Sequence, residues 1–135
     1  MKQLEELNPF HFNRMINEDC GMFIIDDLSA LDHVVKRIFV VSPDVPSIRG
    51  DHAHLDCWQT LICIRGSIDV MVDDGRNKKT FILKNYGHAI TVPPGFWSSQ
   101  NYFEQSSLMV LCSHLYNEGD YLRDYNKFLN FKGQK

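Results

Sequence analysis

His52 and His54 stand one residue apart in the stretch Arg49-Gly50-Asp51-His52-Ala53-His54. Such a pair suits three roles: metal ligation, proton transfer, or hydrogen-bonded packing in a core. Imidazole titrates at about 6.5 when unperturbed, so it can give and take protons near neutral pH. Alternate residues of a strand face the same side, so both rings can point into one cavity. Two neutral imidazoles in a core need partners and carry a desolvation cost, which favours a working pocket over inert packing. Arg49 lies beside them, and its planar guanidinium suits either a phosphate at a pocket mouth or a surface ion pair. Trp97 follows the Pro93-Pro94-Gly95 turn and either stacks on a sugar or base, or covers one end of the fold. Gln59 is at odd spacing from both histidines, so sharing their face requires a bulge between them. Facing in, its amide would bond a substrate hydroxyl.

The wider spacing is patterned. Gly50-x-His52-x-His54 is followed after four residues by Gln59 and after six more by Gly66. Gly87 is followed after five residues by Pro93-x-Gly95 and after two more by Ser98. The two patterns, in order, resemble the paired motifs of the cupin superfamily. In that family the first motif supplies two His and a Glu and the second a His, and together they bind a metal inside a jelly-roll barrel. Gln59 and Ser98 stand at the Glu and last His positions. Two imidazoles without an anionic ligand make a weak site, because transition-metal sites use three or four N, O or S donors. The expectation is no metal and no other cofactor, unless the fold brings His88 or His114 round.

The elements that must position these residues are short strands. With 135 residues and 44% apolar content the chain is sized for one domain with a real core. Its net charge of −3 and lack of a basic run argue against nucleic acid. No apolar run approaches the roughly 20 residues that span a bilayer, and the N-terminus lacks the apolar core of a secretion signal. Cys20, Cys57, Cys63 and Cys112 form no CxxC pair and read as free buried thiols in a reducing, cytoplasmic setting. Apolar runs at 34–41, 57–64, 68–72, 79–83, 89–92 and 107–113 alternate with turn signals, the pattern of an all-β sandwich or barrel. Ile68, Val70 and Val72 should face in, with Asp69 and Asp73 out. Asp74-Gly75 can take the left-handed positions of a tight hairpin. In the tail, Tyr121, Leu122, Tyr125, Phe128 and Leu129 recur at helical spacing behind Asp120 as N-cap, predicting an amphipathic helix whose aromatic stripe is core or dimer contact. The first 20 residues fit no single pattern.

Together, "KRIFVV", "RGDHAH", Gln59, "RGSIDVMVDDG", "VPPGFW" and "YNEGDYLRDYNKFL" resemble a narrower group, the metal-free cupin sugar 3,4-ketoisomerases and WxcM-like proteins. The resemblance covers about Val35 to Leu129. It implies one cupin (RmlC-like jelly-roll) domain over residues 1–135, with a short C-terminal amphipathic helix. It implies a homodimer, often with exchanged N-terminal strands, and a dTDP-linked 4-keto-6-deoxy sugar as substrate. It also implies His52 and His54 as acid/base catalysts moving the keto group from C4 to C3, in the biosynthesis of 3-amino-3,6-dideoxy sugars for surface polysaccharide. Arg49, Gln59 and Trp97 would bind the substrate. Phe39 and Val40 stand where the family usually has a Tyr pair, and Cys20 where it usually has an Arg. Those differences keep open a binding protein without chemistry, a related epimerase, and a metal-dependent cupin.

Overall fold

The computed structural model describes residues 2–133. Two five-stranded sheets face one another across the core. The first is ordered β1 (Phe10–His11), β9 (His88–Val92), β6 (Gln59–Arg65), β11 (Ser107–Cys112), β4 (Arg37–Val41). The second runs β12 (Tyr121–Leu122), β5 (Ser47–His54), β10 (Trp97–Tyr102), β7 (Ser67–Asp73), β8 (Lys78–Lys84). Every pairing is antiparallel, and β2 (Asn13–Ile16) and β3 (Gly21–Ile24) form a separate hairpin. This is the cupin jelly roll expected from the motifs. Each apolar run picked out in the sequence overlaps one of these strands. β10 escaped notice because Trp-Ser-Ser-Gln-Asn-Tyr has almost no apolar alternation.

The period of two is kept where it matters. Ile68, Val70 and Val72 are fully buried and pack between the sheets with Leu61, Leu83, Ile90, Leu108 and Val110. Asp73 points outward from the barrel, as expected, but does not reach solvent; it too is fully buried. Its carboxylate accepts from the Tyr125 hydroxyl at 2.6 Å and from the Gly75 amide at 2.7 Å. In the β7–β8 turn only Gly75 takes positive φ (96°), while Asp74 acts through its side chain, accepting from the Arg76 and Asn77 amides.

The tail corrects the sequence reading. The helix α1 is shorter, Tyr125–Phe131, and its N-cap is Asp124, whose side chain accepts from the Lys127 amide. Tyr121 and Leu122 are instead a strand paired with His54 and Ala53, and Asp120 is free for other work. The helix lies on the outer face of the second sheet, where Phe128 packs on Trp97 and Ala53. Its fully buried ring fastens helix to sheet, so Phe128→Ala should cost about 3–5 kcal/mol in urea unfolding, from lost transfer energy and the cavity left behind.

The outer face of the first sheet is covered by the N-terminal segments. Phe10, Phe12, Phe23 and Ile25 pack on Ile62, Ala89 and Leu111. Of the cysteines, Cys57, Cys63 and Cys112 are buried, but Cys20 is exposed in the turn between β2 and β3.

Candidate active site

A cavity of about 160 Å³ opens between the sheets. His52, His54, Gln59 and Ser98, the four positions matching cupin ligands, all line it, with Arg49, Gln100, Phe39, Phe96 and Tyr121 among the other wall residues. Four strands bring the polar groups and Tyr121 together. His52 and His54 come from β5, Ser98 and Gln100 from β10, Gln59 from the start of β6, and Tyr121 from β12.

The bulge required by the odd spacings lies elsewhere than expected. Ser98 pairs with His52 but Ser99 pairs with Gly50, so Asp51 is the extra residue. Gly50 (φ 92°) and Asp51 (φ 57°) both take left-handed backbone there, which Gly and Asp tolerate best. A Cβ at position 50 would sit 2.6 Å from the Gln100 side-chain oxygen. The bulge shifts parity, so Arg49 faces the same cavity as His52 despite standing three residues away. Gln59 needs no bulge: residues 55–58 form a loop, and Gln59 enters on a different strand.

The two imidazoles are held differently. Their rings meet edge to face with centroids 5.0 Å apart, and Tyr121 lies against both, at 5.0 Å from His52 and 4.4 Å from His54. His54 Nδ1 donates to Asp120 Oδ2 at 2.8 Å, and both side chains are nearly buried. Asp120 is itself pinned: its other oxygen accepts from the Asp56 amide at 2.6 Å, and its carbonyl from the Leu55 amide at 2.8 Å. A carboxylate on Nδ1 fixes the tautomer and leaves Nε2 as the working atom. That Nε2 is buried with no protein partner, and so is His52 Nδ1. Two unsatisfied imidazole nitrogens in one cavity are what a ligand would satisfy.

Burial is the main reason the His52 pKa falls to about 4, with the neighbouring His54 charge adding to it and Arg123 adding less. His52 is therefore a neutral base throughout the neutral range. The unfolded chain protonates this group first, near its ordinary value, so its contribution to stability is complete above about 6.5 and is lost as pH falls toward 4. Ring-proton NMR should show His52 titrating near the lower value, and the unfolding free energy should drop more between pH 7 and 5 in the parent than in His52→Asn.

Trp97 is not in this cavity. It points to the opposite face of β10, under α1, with the Tyr125 ring edge-on to it and the Phe128 ring tilted against it. The strand's alternation puts Ser98 in and Trp97 out, and Phe96 is the aromatic that lines the wall. His88 stacks on His11 at the β1–β9 edge and His114 is exposed, so neither replaces a missing ligand. Two imidazoles, an amide and a hydroxyl, with His54 Nδ1 already held by Asp120, do not fit a divalent cation. Phe39 lines the wall without a hydroxyl; Tyr121 lines it too and carries one. Asp120 and Tyr121 are the site residues that sequence reading assigned to a helix. The alternation of β12 is too short to see, and Asp120's partner is 66 residues away.

A family model described as FdtA, WxcM-like, C-terminal, matches residues 5–133. A TDP-4-oxo-6-deoxy-alpha-D-glucose-3,4-oxoisomerase of Aneurinibacillus thermoaerophilus is 28% identical over 128 residues, covering 93% of this chain and 92% of that protein. The crystal structure of a 3,4-ketoisomerase from Helicobacter canadensis has a TM-score of 0.84 at 29% identity, over 96% of this chain and 98% of that one. The TDP-fucose-3,4-ketoisomerase WlaRA of Campylobacter jejuni has a TM-score of 0.80 at 28% identity, over 94% and 96%.

Proposed function

The chain belongs to the FdtA, WxcM-like C-terminal family, and from that premise we propose that it is a sugar 3,4-ketoisomerase acting on a dTDP-linked 4-keto-6-deoxy hexose. The observation that carries the chemistry is the unlike pair of imidazoles. His52 is neutral by burial and free at Nδ1; His54 is clamped by a carboxylate and free at Nε2.

The C4 ketone acidifies the proton on C3. His52 takes that proton while the C4 oxygen receives one from His54, whose imidazolium form the Asp120 carboxylate supports. The product is the 3,4-enediol. Return of a proton to C4 and loss of the O3 proton leave the carbonyl at C3. Each positioned proton transfer contributes about 10²–10⁴-fold. Gln59, the Ser98–Gln100 pair (2.8 Å apart) and the Tyr121 hydroxyl supply hydrogen bonds for sugar oxygens. Arg49 is exposed at the mouth, where the diphosphate would lie.

The whole chain acts in this reading as one cupin domain in the cytoplasm, feeding an aminotransferase step toward 3-amino-3,6-dideoxy sugars for surface polysaccharide. Among the described residues no helix is long and apolar enough to cross a membrane. A homodimer is supported by exposed apolar residues on the β2–β3 hairpin (Met15, Ile16, Met22, Ile24) and on the edge strand β4 (Ile38, Val40).

The test is proton NMR of dTDP-4-keto-6-deoxyglucose in D₂O with the purified protein and no added metal. Loss of the C3 proton signal with new 3-keto resonances is expected. Saturation-transfer binding without exchange would overturn the catalytic reading in favour of a sugar-binding protein, and exchange at C5 as well would make it an epimerase.

A further inference from the structure

Tyr121 meets the imidazole pair from β12, a strand outside both cupin motifs. It is paired with His54, and its ring closes a triangle with the two imidazoles, 4.4 Å from His54 and 5.0 Å from His52. The Arg123 guanidinium lies over the ring face, 4.3 Å from its centre, and is itself held by both oxygens of Glu118, at 2.7 and 3.0 Å. The hydroxyl accepts from Arg37 Nη2 at 3.5 Å. An oxygen that accepts from a guanidinium turns its own hydrogen elsewhere. Among the described residues that hydrogen has no acceptor, and Tyr121 lines the cavity, so it is left for a ligand.

Arg37 stands behind the hydroxyl. It opens β4 opposite Cys112, and Cys112 stands opposite Gln59, so three polar side chains form a row. Cys112 shares strand parity with Leu108 and Val110, which line the cavity, so the row faces the barrel interior. Arg37 Nη2 lies 3.4 Å and Gln59 Nε2 3.5 Å from the Cys112 sulfur. The guanidinium is partly buried over the Phe39 ring, and its Nε is buried without a partner. Among the described residues no carboxylate lies within ion-pair distance of it. A cation drawn out of water with no counter-ion carries a cost. Its charge is aimed, through the Tyr121 hydroxyl, at the cavity.

We propose that Tyr121 is a catalytic residue that donates a hydrogen bond to the sugar oxygen charged during enolisation, and that Arg37 is the positioning residue that strengthens this donor. This rests on the ketoisomerase reading. When His52 takes the C3 proton, the C3–H electron pair forms the C3–C4 double bond. The C4 carbonyl π pair moves onto O4, which is negative until the His54 proton arrives. Tyr121 is nearer His54 than His52, on the side of the group that protonates O4. Its proton stays on the phenol, so the proton count of the reaction is unchanged. A hydroxyl whose oxygen accepts from a cation is polarised into a better donor, and the charge it faces exists only after the C3 proton has left. The contribution is therefore to kcat, not to sugar binding.

The test is a double-mutant cycle on kcat and KM for dTDP-4-keto-6-deoxyglucose, with C3 proton exchange into D₂O followed alongside. Tyr121→Phe keeps the ring and removes only the hydroxyl; kcat should fall about 10²-fold with KM little changed. Arg37→Met should lower kcat about tenfold in the parent and scarcely at all in Tyr121→Phe, with Arg37→Lys in between because it keeps the charge. Circular dichroism and the thermal midpoint check that each variant is folded, and Tyr121→Phe carries the test alone if Arg37→Met is not. A Tyr121→Phe enzyme with parental kcat, or with only a raised KM, would overturn the catalytic role and leave the ketoisomerase reading standing. Arg37 and Tyr121 effects that add in full would overturn the relay between them. A parent that exchanges no C3 proton would overturn the ketoisomerase reading and this role with it.

Discussion

A His52→Asn variant turns over the nucleotide sugar about 10²–10⁴-fold more slowly than the parent while remaining folded. The ring is the neutral base of the cavity, held neutral chiefly by burial. Asn is polar and nearly isosteric with part of the ring, but has no basic nitrogen. The loss should appear in kcat, because the sugar and diphosphate contacts remain, and C3 proton exchange into D₂O should fall in parallel. Circular dichroism and the thermal midpoint check the fold. Above pH 7 the variant should be no less stable than the parent, since it removes a buried imidazole nitrogen that has no partner. An unimpaired His52→Asn enzyme would remove His52 from the mechanism.

An Asp120→Asn variant should lose about 10²-fold in kcat with KM little changed. The substitution separates two jobs of one side chain. The amide oxygen can still accept from the Asp56 backbone, so the 55–58 loop stays anchored. Toward His54 Nδ1, however, the charge is gone, and an amide NH₂ in that place would drive the proton to Nε2, the wrong tautomer for a proton donor and acceptor cycling there. Asp120 is a positioning residue, so its signature is electrostatic. The Nδ1–H resonance of His54, held on the carboxylate in the parent, should be lost in the variant, and the kcat–pH profile should change with it. A purely structural role would lower stability and leave both unmoved.

The strands and their inward residues were legible because burial on one face enforces a period of two, as Ile68, Val70 and Val72 show. The histidine pair was legible for the same reason: i and i+2 share a face whatever the fold. Where the sequence misled, a local pattern had a second physical solution. Asp120 followed by Tyr121 and Leu122 satisfies an N-cap and a helical stripe, yet pairing with β5 satisfies two backbone ladders and places a carboxylate on His54. Asp73 alternates outward correctly, but no local rule says that a helix will cover it. Trp97, after the Pro93-Pro94-Gly95 turn, suits either stacking on a sugar or base or covering one end of the fold; alternation sends it to the face away from the cavity.

An all-β sandwich or barrel, two imidazoles on one face of a strand, and Gln59 and Ser98 at two of the four cupin ligand positions are legible in the sequence, because alternation and side-chain chemistry are local properties. Only the tertiary structure decided which partners those imidazoles have. The Asp51 bulge that turns Arg49 inward, the Asp120 clamp on His54, the Tyr121 hydroxyl and the Arg37–Cys112–Gln59 row depend on strand register. Register is a relation between segments whose paired residues stand 42 (Arg65–Ser107) to 75 (Arg37–Cys112) positions apart, set by the packing of both sheets at once.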